Sequence, residues 1–295
     1  MTDSSRGMLL GVLGVFLFAL TLPMTRLAVG DIATPQLAPG FVAMGRAAVA
    51  GLLSILYLFI TGSRRPTASE TKWLLVTAAG VVFGWPLMLS LALHQVDAVH
   101  AAVITGVLPL ATAAAGALLL RQRPSLGFWI CALVGLALVI GFAAWRGAGA
   151  LQAADALLLG AVLATSVGYV TGARLSLSLQ PEQVISWLLV LSLPLTLPLA
   201  VAWAPRGTEI ASIAPSAWVG FAYVALVSQW LGFFAWYRAL ALGGTLRVSQ
   251  VQIVQPFVSM LAAVPLLGER LDLMTGLFAV AVIAVVWIGK RMPVQ

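Results

Sequence analysis

Ser249, Gln252, Pro256 and Ser259 follow one another at spacings of three, four and three, which places them on one face of a helix. They lie in an apolar run, so three hydrogen-bonding side chains form a polar stripe with a proline inside it. In an earlier run Ala102, Thr105, Pro109 and Thr112 repeat the same spacing, three of the four again polar or helix-breaking. Proline removes a backbone donor and disturbs the bond to the carbonyl four residues back, which can expose that carbonyl to a ligand or water. The chemistry on offer is reversible hydrogen bonding to a small polar molecule, with Thr105 and Gln252 as its best carriers. The competing explanation is that these groups bond across to neighbouring helices, an interaction averaging only about 0.6 kcal/mol in a measured membrane protein.

Other residues could line the same space. Trp85, Gln229 and Trp230 fall at mid-run, where Trp is less expected than at an interface, and suit a cavity that encloses an apolar or aromatic side chain. Ordinary core filling accounts for either Trp equally well. Thr165, Ser166 and Tyr169 form a similar group, although Ser and Thr often bond only their own helix backbone. Arg46 is the one strong cation well inside an apolar run. A bare Arg at the bilayer centre costs at least about 2.5 kcal/mol on insertion scales, so it must snorkel, pair or face water. A snorkelling arginine is the favoured expectation, with contact to a ligand carboxylate as the alternative. His94 and His100 flank Asp97 six residues apart, far apart around a helix, and are expected to be solvated end residues rather than a metal site. No motif calls for a cofactor.

The elements that position these residues follow from composition. Of 295 residues 61% are apolar and 8% charged, against about 25% charged in an ordinary soluble domain. Apolar runs fall at 7–29, 36–61, 72–93, 97–120, 125–144, 153–179, 181–203, 215–241, 244–267 and 271–289, each long enough to cross a bilayer. The expected fold is an all-α membrane protein of ten transmembrane helices. The first run is too long for the apolar core of a secretion signal and lacks a convincing cleavage site. The net charge of +7 is spread singly or in pairs between runs, which speaks for topology and against nucleic-acid binding. With a cytoplasmic N-terminus, Arg6, Arg64, Arg65, Lys72, Arg121, Arg123, Arg174, Arg238, Arg247, Lys290 and Arg291 fall inside, and Arg26, Arg146, Arg206 and Arg270 outside. This positive-inside bias puts both termini in the cytoplasm of a bacterial-type inner membrane. The single Cys131 forms no internal disulfide and is expected to be a packing residue.

The chain repeats itself. A shift of 147 residues lays Ala92-Leu93 on Ala239-Leu240, Pro109 on Pro256, Leu119-Leu120 on Leu266-Leu267 and Arg123 on Arg270, and a shift of 149 lays Leu9-Leu10-Gly11 on Leu158-Leu159-Gly160. Residues 1–150 and 151–295 are therefore expected to be two five-helix units. Five being odd, the second unit enters from the opposite side, giving inverted halves with a central site between them, an arrangement of transporters. Every acid falls near a helix end or in a loop, and Glu269 beside Arg270 is expected to be an interfacial cap. Carriers of cations and proton antiporters commonly need a buried carboxylate. Its absence here favours neutral or zwitterionic substrates moving down a gradient.

The ordered motifs resemble the drug/metabolite transporter superfamily with its EamA-type repeats, over the whole chain. The likeness is carried by Ala92-Leu93, Pro109, the Leu118-Leu119-Leu120-Arg121-Gln122-Arg123 ending, Gly135 to Gly141, Gln255-Pro256-Phe257 and Leu266-Leu267-Gly268-Glu269-Arg270. Arg46, in Ala43-Met44-Gly45-Arg46-Ala47, looks like the family's second-helix arginine, whereas Gln122 stands where the pattern has an acid. Within the superfamily the chain is similar to the bacterial YddG-like exporters. That likeness implies export of amino acids, including aromatic ones, by alternating access. Pro109 and Pro256, in equivalent places on opposite halves, are expected to be bending points, and no obligatory protein partner is evident. Efflux of neutral metabolites or lipophilic compounds is the alternative. An intramembrane enzyme would need a Ser–His pair at depth or an HExxH motif, and the sequence offers neither.

Overall fold

A computed structural model describes residues 3–119, 124–147, 149–243 and 249–292. Among these, eight helices are long and apolar enough to cross a membrane: α1 (Ser5–Val29), α2 (Pro39–Ile60), α3 (Ala68–Leu93), α4 (Ala98–Leu119), α5 (Leu126–Arg146), α6 (Ala153–Leu175), α7 (Pro181–Ala202) and α8 (Pro215–Ala239). Two shorter apolar helices follow, α9 (Val251–Leu267) and α10 (Leu273–Gly289). Large apolar side chains such as Phe59, Leu133 and Leu273 lie on the outside, where water would penalise them and lipid does not. The chain is an all-α, multi-pass membrane protein.

Local chemistry sets the helix starts. Thr67 and Glu70 form a capping box at α3, Ser125 accepts the Phe128 N–H at α5, and Asp272 accepts the Thr275 N–H at α10. The α1–α2 turn needs Gly30, whose φ of 66° and proximity to the Thr34 carbonyl leave no room for a Cβ.

Helix packing has a regular pattern. α1 packs on α8 and α9, α6 on α3 and α4, α2 on α7, α4 on α9, and α5 on α10. These pairings are unchanged when each helix is exchanged with the one five places away. Small residues permit the closest approaches: a Cβ on Gly80 of α3 would stand 2.3 Å from the Ala164 carbonyl oxygen of α6, and one on Gly220 of α8 would stand 2.5 Å from the Met24 carbonyl oxygen of α1.

Several helices are interrupted at depth. α3 widens to π-helical turns at Ala79–Gly84 and α8 at Tyr223–Leu231, and a shift of 147 lays the first segment within the second. α4 is broken at Gly106 and Val107, and a 3-10 segment, Ser249–Val254, leads into the α-helical part of α9. Pro109 and Pro256 are each the second residue of the α-helix that resumes after the interruption, where a missing N–H costs little.

Candidate functional site

Two small chambers adjoin one another in the middle of the bundle. The first, of about 20 Å³, is lined among others by Thr105, Pro109, Gln252, Pro256 and Ser259, with Trp85, Phe18 and Gln255. The second, also of about 20 Å³, is lined by Arg46, Tyr169, Ser228 and Gln229, together with the same Trp85, Phe18 and Gln255. Each has room for about one water molecule. The three shared residues form the partition between them.

In the first chamber the repeated stripe comes together from α4 and α9. The Thr105 hydroxyl donates to the Ala101 carbonyl of its own helix at 2.7 Å, and the Ser259 hydroxyl to the Ala19 carbonyl of α1 at 2.6 Å. Gln252 is buried, and its Nε2 has no hydrogen-bond partner among the described residues. The Ser249 side chain lies outside the described residues, as do Gln122 and the end of the first-half motif.

Two expected residues stand elsewhere. Thr112 is not among the residues lining either chamber; its hydroxyl lies 3.4 Å from the Ser166 hydroxyl and joins α4 to α6. Trp230 is also absent from both linings, its ring packing at 6.4 Å from Tyr57 and 5.1 Å from Phe234. Gln229 and Trp230 both sit in the widened turns of α8, and of the two Gln229 lines a chamber.

Arg46 corrects the snorkelling expectation. Its side chain is among the largest fully buried ones, at 1% exposure, seven residues into α2, so the head does not reach the surface. Nη2 donates to the Ser228 hydroxyl at 2.9 Å, and that hydroxyl lies 2.7 Å from the Thr21 hydroxyl, so α1, α2 and α8 meet there. Nε and Nη1 have no partner among the described residues. A buried guanidinium held by one neutral contact is costly, several kcal/mol by the usual order of magnitude.

At one loop face lies a charged basin of about 750 Å³. Arg26 pairs with Asp31 and Asp97 at 3.6 and 3.7 Å, and Arg146 with Asp97 and Asp272 at 3.5 and 3.3 Å. Arg26 also donates to the Leu93 carbonyl. Glu269 accepts the first two N–H groups of α4, from Ala98 at 2.8 Å and Val99 at 2.7 Å, and burial raises its carboxyl above the usual range. Backbone N–H groups of Thr34 and Thr275 hold the Asp31 and Asp272 carboxyls below it.

His100 is the second correction. It is 4% exposed, not solvated, and Nε2 stands 2.7 Å from Oδ1 of Asp155, itself 1% exposed. Asp155 does fall at a helix start, but the first turn of α6 packs against α4, which nothing in the sequence of α4 discloses. His94 is half-buried. No group of three or more His, Cys, Asp or Glu that could hold a metal occurs among the described residues.

Sequence reasoning missed the contribution of α1. Phe18, Thr21 and Leu22 line the chambers, and Thr21, a polar residue inside an apolar run, was the available signal.

A bundle of apolar helices closed around polar chambers is the build of a membrane carrier for small molecules. The EamA-like transporter family model matches residues 5–143 and again 152–288, and the chain belongs to that family. It is 42% identical over 291 residues to the uncharacterized transporter YdeK of Bacillus subtilis (strain 168), covering 99% of both chains. A solved crystal structure matches 96% of both chains with a TM-score of 0.64 at 18% identity, which shows a shared fold. The protein is thus a small-molecule membrane transporter rather than an intramembrane enzyme.

Proposed function

We propose that the protein exports amino acids, aromatic ones included, across a bacterial inner membrane by alternating access, as the YddG-like members of its superfamily are expected to do. The observation that carries this is Arg46: a fully buried guanidinium with Nε and Nη1 unpartnered among the described residues, beside a chamber that also holds Tyr169 and Trp85. A substrate carboxylate supplies the missing charge, in the two-point geometry that guanidinium and carboxylate share. The aromatic walls suit the side chain, and Thr105, Gln252 and Gln229 are left for the amino group and its neighbours. A carrier of neutral metabolites or lipophilic compounds would leave Arg46 unmatched.

The same reading takes the ten helices as crossings, with residues 1–150 and 151–295 as inverted halves and both termini cytoplasmic. It is supported by the two family matches, by packing that survives the five-place exchange, and by interruptions at corresponding depths. Movement down a gradient is part of the same reading, since the acids lie near helix ends, Asp155 in the first turn of α6.

The test is uptake by purified protein in liposomes, with labelled tryptophan, threonine and a neutral sugar. Saturable uptake of the amino acids and not the sugar is expected. Folded protein that moves neither amino acid would sink the substrate class and leave the family assignment standing.

A further inference from the structure

The His100–Asp155 pair lies outside both chambers, and the transport reading above makes no use of it. It joins the first turn of α4 to the first turn of α6. Besides its contact with Nε2, the Asp155 carboxylate accepts the Gln152 N–H at 2.8 Å, so it is fixed by its own helix start. Phe142 of α5 lies against the imidazole, with centroids 5.1 Å apart. The elements packed on α4 bring Arg26 from α1, His94 from the end of α3, Arg146 from α5, Glu269 from the α9–α10 turn and Asp272 from the start of α10. Of the charges beyond Asp155, Arg146 and Asp97 act on His100, and both line the charged basin.

A buried histidine–carboxylate pair has two states that differ by one proton. With a neutral imidazole donating Nε2–H to the carboxylate, the pair carries one negative charge. When Nδ1 takes a proton from water the pair becomes imidazolium and carboxylate, net neutral, and the Nε2 contact persists. Histidine is the side chain whose ordinary titration falls between about pH 5 and 8, and net charge in a dry site is costly. Proton loading therefore changes how strongly α4 and α6 are held together and how much the pair gains from reaching the water of the basin.

Both helices lead to the chambers. Thr105 is five residues along α4 from His100, roughly 7.5 Å of helix rise, and the break at Gly106 follows at once. α6 runs from Asp155 to Thr165 and Tyr169 in the second chamber. We propose that His100 and Asp155 form a proton-binding site, loaded from the charged basin, whose occupancy is coupled to the passage of substrate through the central chambers. The coupling rests on the export reading; the proton site stands without it.

The chain has only two histidines, so His94→Asn leaves His100 as the single imidazole, and its titration can be followed by NMR of labelled histidine in nanodiscs with no substrate present. Titration within the ordinary histidine range of about pH 5 to 8 is expected, moved down by about one unit or more in Asp155→Asn, since an opposite charge at this range shifts a pKa by roughly one to three units. The Asn retains an acceptor for the Gln152 N–H. An imidazole that does not titrate in this window, or one indifferent to Asp155→Asn, overturns the site. In liposomes, tryptophan counterflow without a gradient and uptake under a pH gradient are then compared. A several-fold response to the gradient is expected in the unaltered protein, lost in His100→Gln and Asp155→Asn while counterflow persists. Counterflow with no response to the gradient overturns the coupling and leaves amino-acid transport intact. Absence of counterflow strikes the export reading instead, and the titration still decides the proton site.

Discussion

Replacing Arg46 by Met separates an arginine that receives substrate from one that merely holds helices together. Met has a similar length and an apolar body, so it fills the space beside Val81 and Trp85 without a new polar group. Ser228 and Thr21 keep each other as partners at 2.7 Å, so the loss of the guanidinium orphans neither. In the empty carrier the substitution removes a buried charge held by one neutral hydrogen bond, and stability is expected to stay level or rise by about 1–4 kcal/mol, the range found when buried ionic groups give way to apolar ones. For the substrate the balance reverses. A charge-assisted hydrogen bond contributes about 1.5–3 kcal/mol, and two of them at the lower end amount to about 3 kcal/mol, or roughly a hundredfold in affinity. The assay is thermal unfolding in detergent with and without tryptophan, alongside counterflow in liposomes. Arg46→Met is expected to melt no lower than the unaltered protein when empty, to lose ligand-induced stabilisation, and to need about a hundredfold more substrate. A variant that melts far lower but keeps its substrate affinity would show that Arg46 is structural.

Three further outcomes follow from the same geometry. Pro109→Ala and Pro256→Ala let each helix run on past its interruption and are expected to slow transport and reduce accessibility from one side; unchanged transport with unchanged labelling from both sides would count against the bending points. Gly80→Ala drives a Cβ to 2.3 Å from a backbone oxygen that cannot rotate away, and is expected to destabilise by about 1–3 kcal/mol, read as a lower melting temperature. The carboxyls of Asp31 and Asp272, held low by backbone N–H groups, contribute stability that is present above the unfolded value of about 3.9 and lost as pH falls through their lower folded values. Melting is therefore expected to drop below pH 4, and Asp31→Asn with Asp272→Asn to flatten that drop.

Periodicity made part of this site legible. Thr105, Pro109, Gln252 and Pro256 recur at helical spacing in two copies, and a face that recurs in both halves meets itself where α4 packs on α9. Trp230 is placed by depth alone, and depth does not say which way a side chain faces: in the π-helical turns of α8 Gln229 lines a chamber, while Trp230 packs on Tyr57 and Phe234. Arg46 shows the limit of insertion costs: they say that a charge needs company, and the company came from α1 and α8, whose place beside α2 no local pattern reveals. His100 fails for a related reason. Its position near a turn suggested water, whereas exposure there was decided by Asp155, 55 residues away in sequence.

The partition between the chambers is where opening must begin. Ligand sites for small molecules commonly measure about 300–1,000 Å³, whereas each chamber here is about 20 Å³, so no amino acid enters unless the chambers merge and widen. Each of the three partition residues flanks an irregular point in its helix: Phe18 lies two residues before the break at Leu20, Trp85 follows the π-helical Ala79–Gly84, and Gln255 follows the 3-10 segment Ser249–Val254. Residues beside such points can move without dragging a whole helix, because the backbone bonds there are already irregular. Trp85→Ala should therefore join the chambers permanently, so that bulky amino acids compete better against small ones than in the unaltered protein, by about tenfold if one ring's worth of space, ~1.4 kcal/mol of packing, is released. The measurement is competition of tryptophan and of alanine against labelled threonine in counterflow. An unchanged ratio would mean that the chambers open by some path that leaves Trp85 in place.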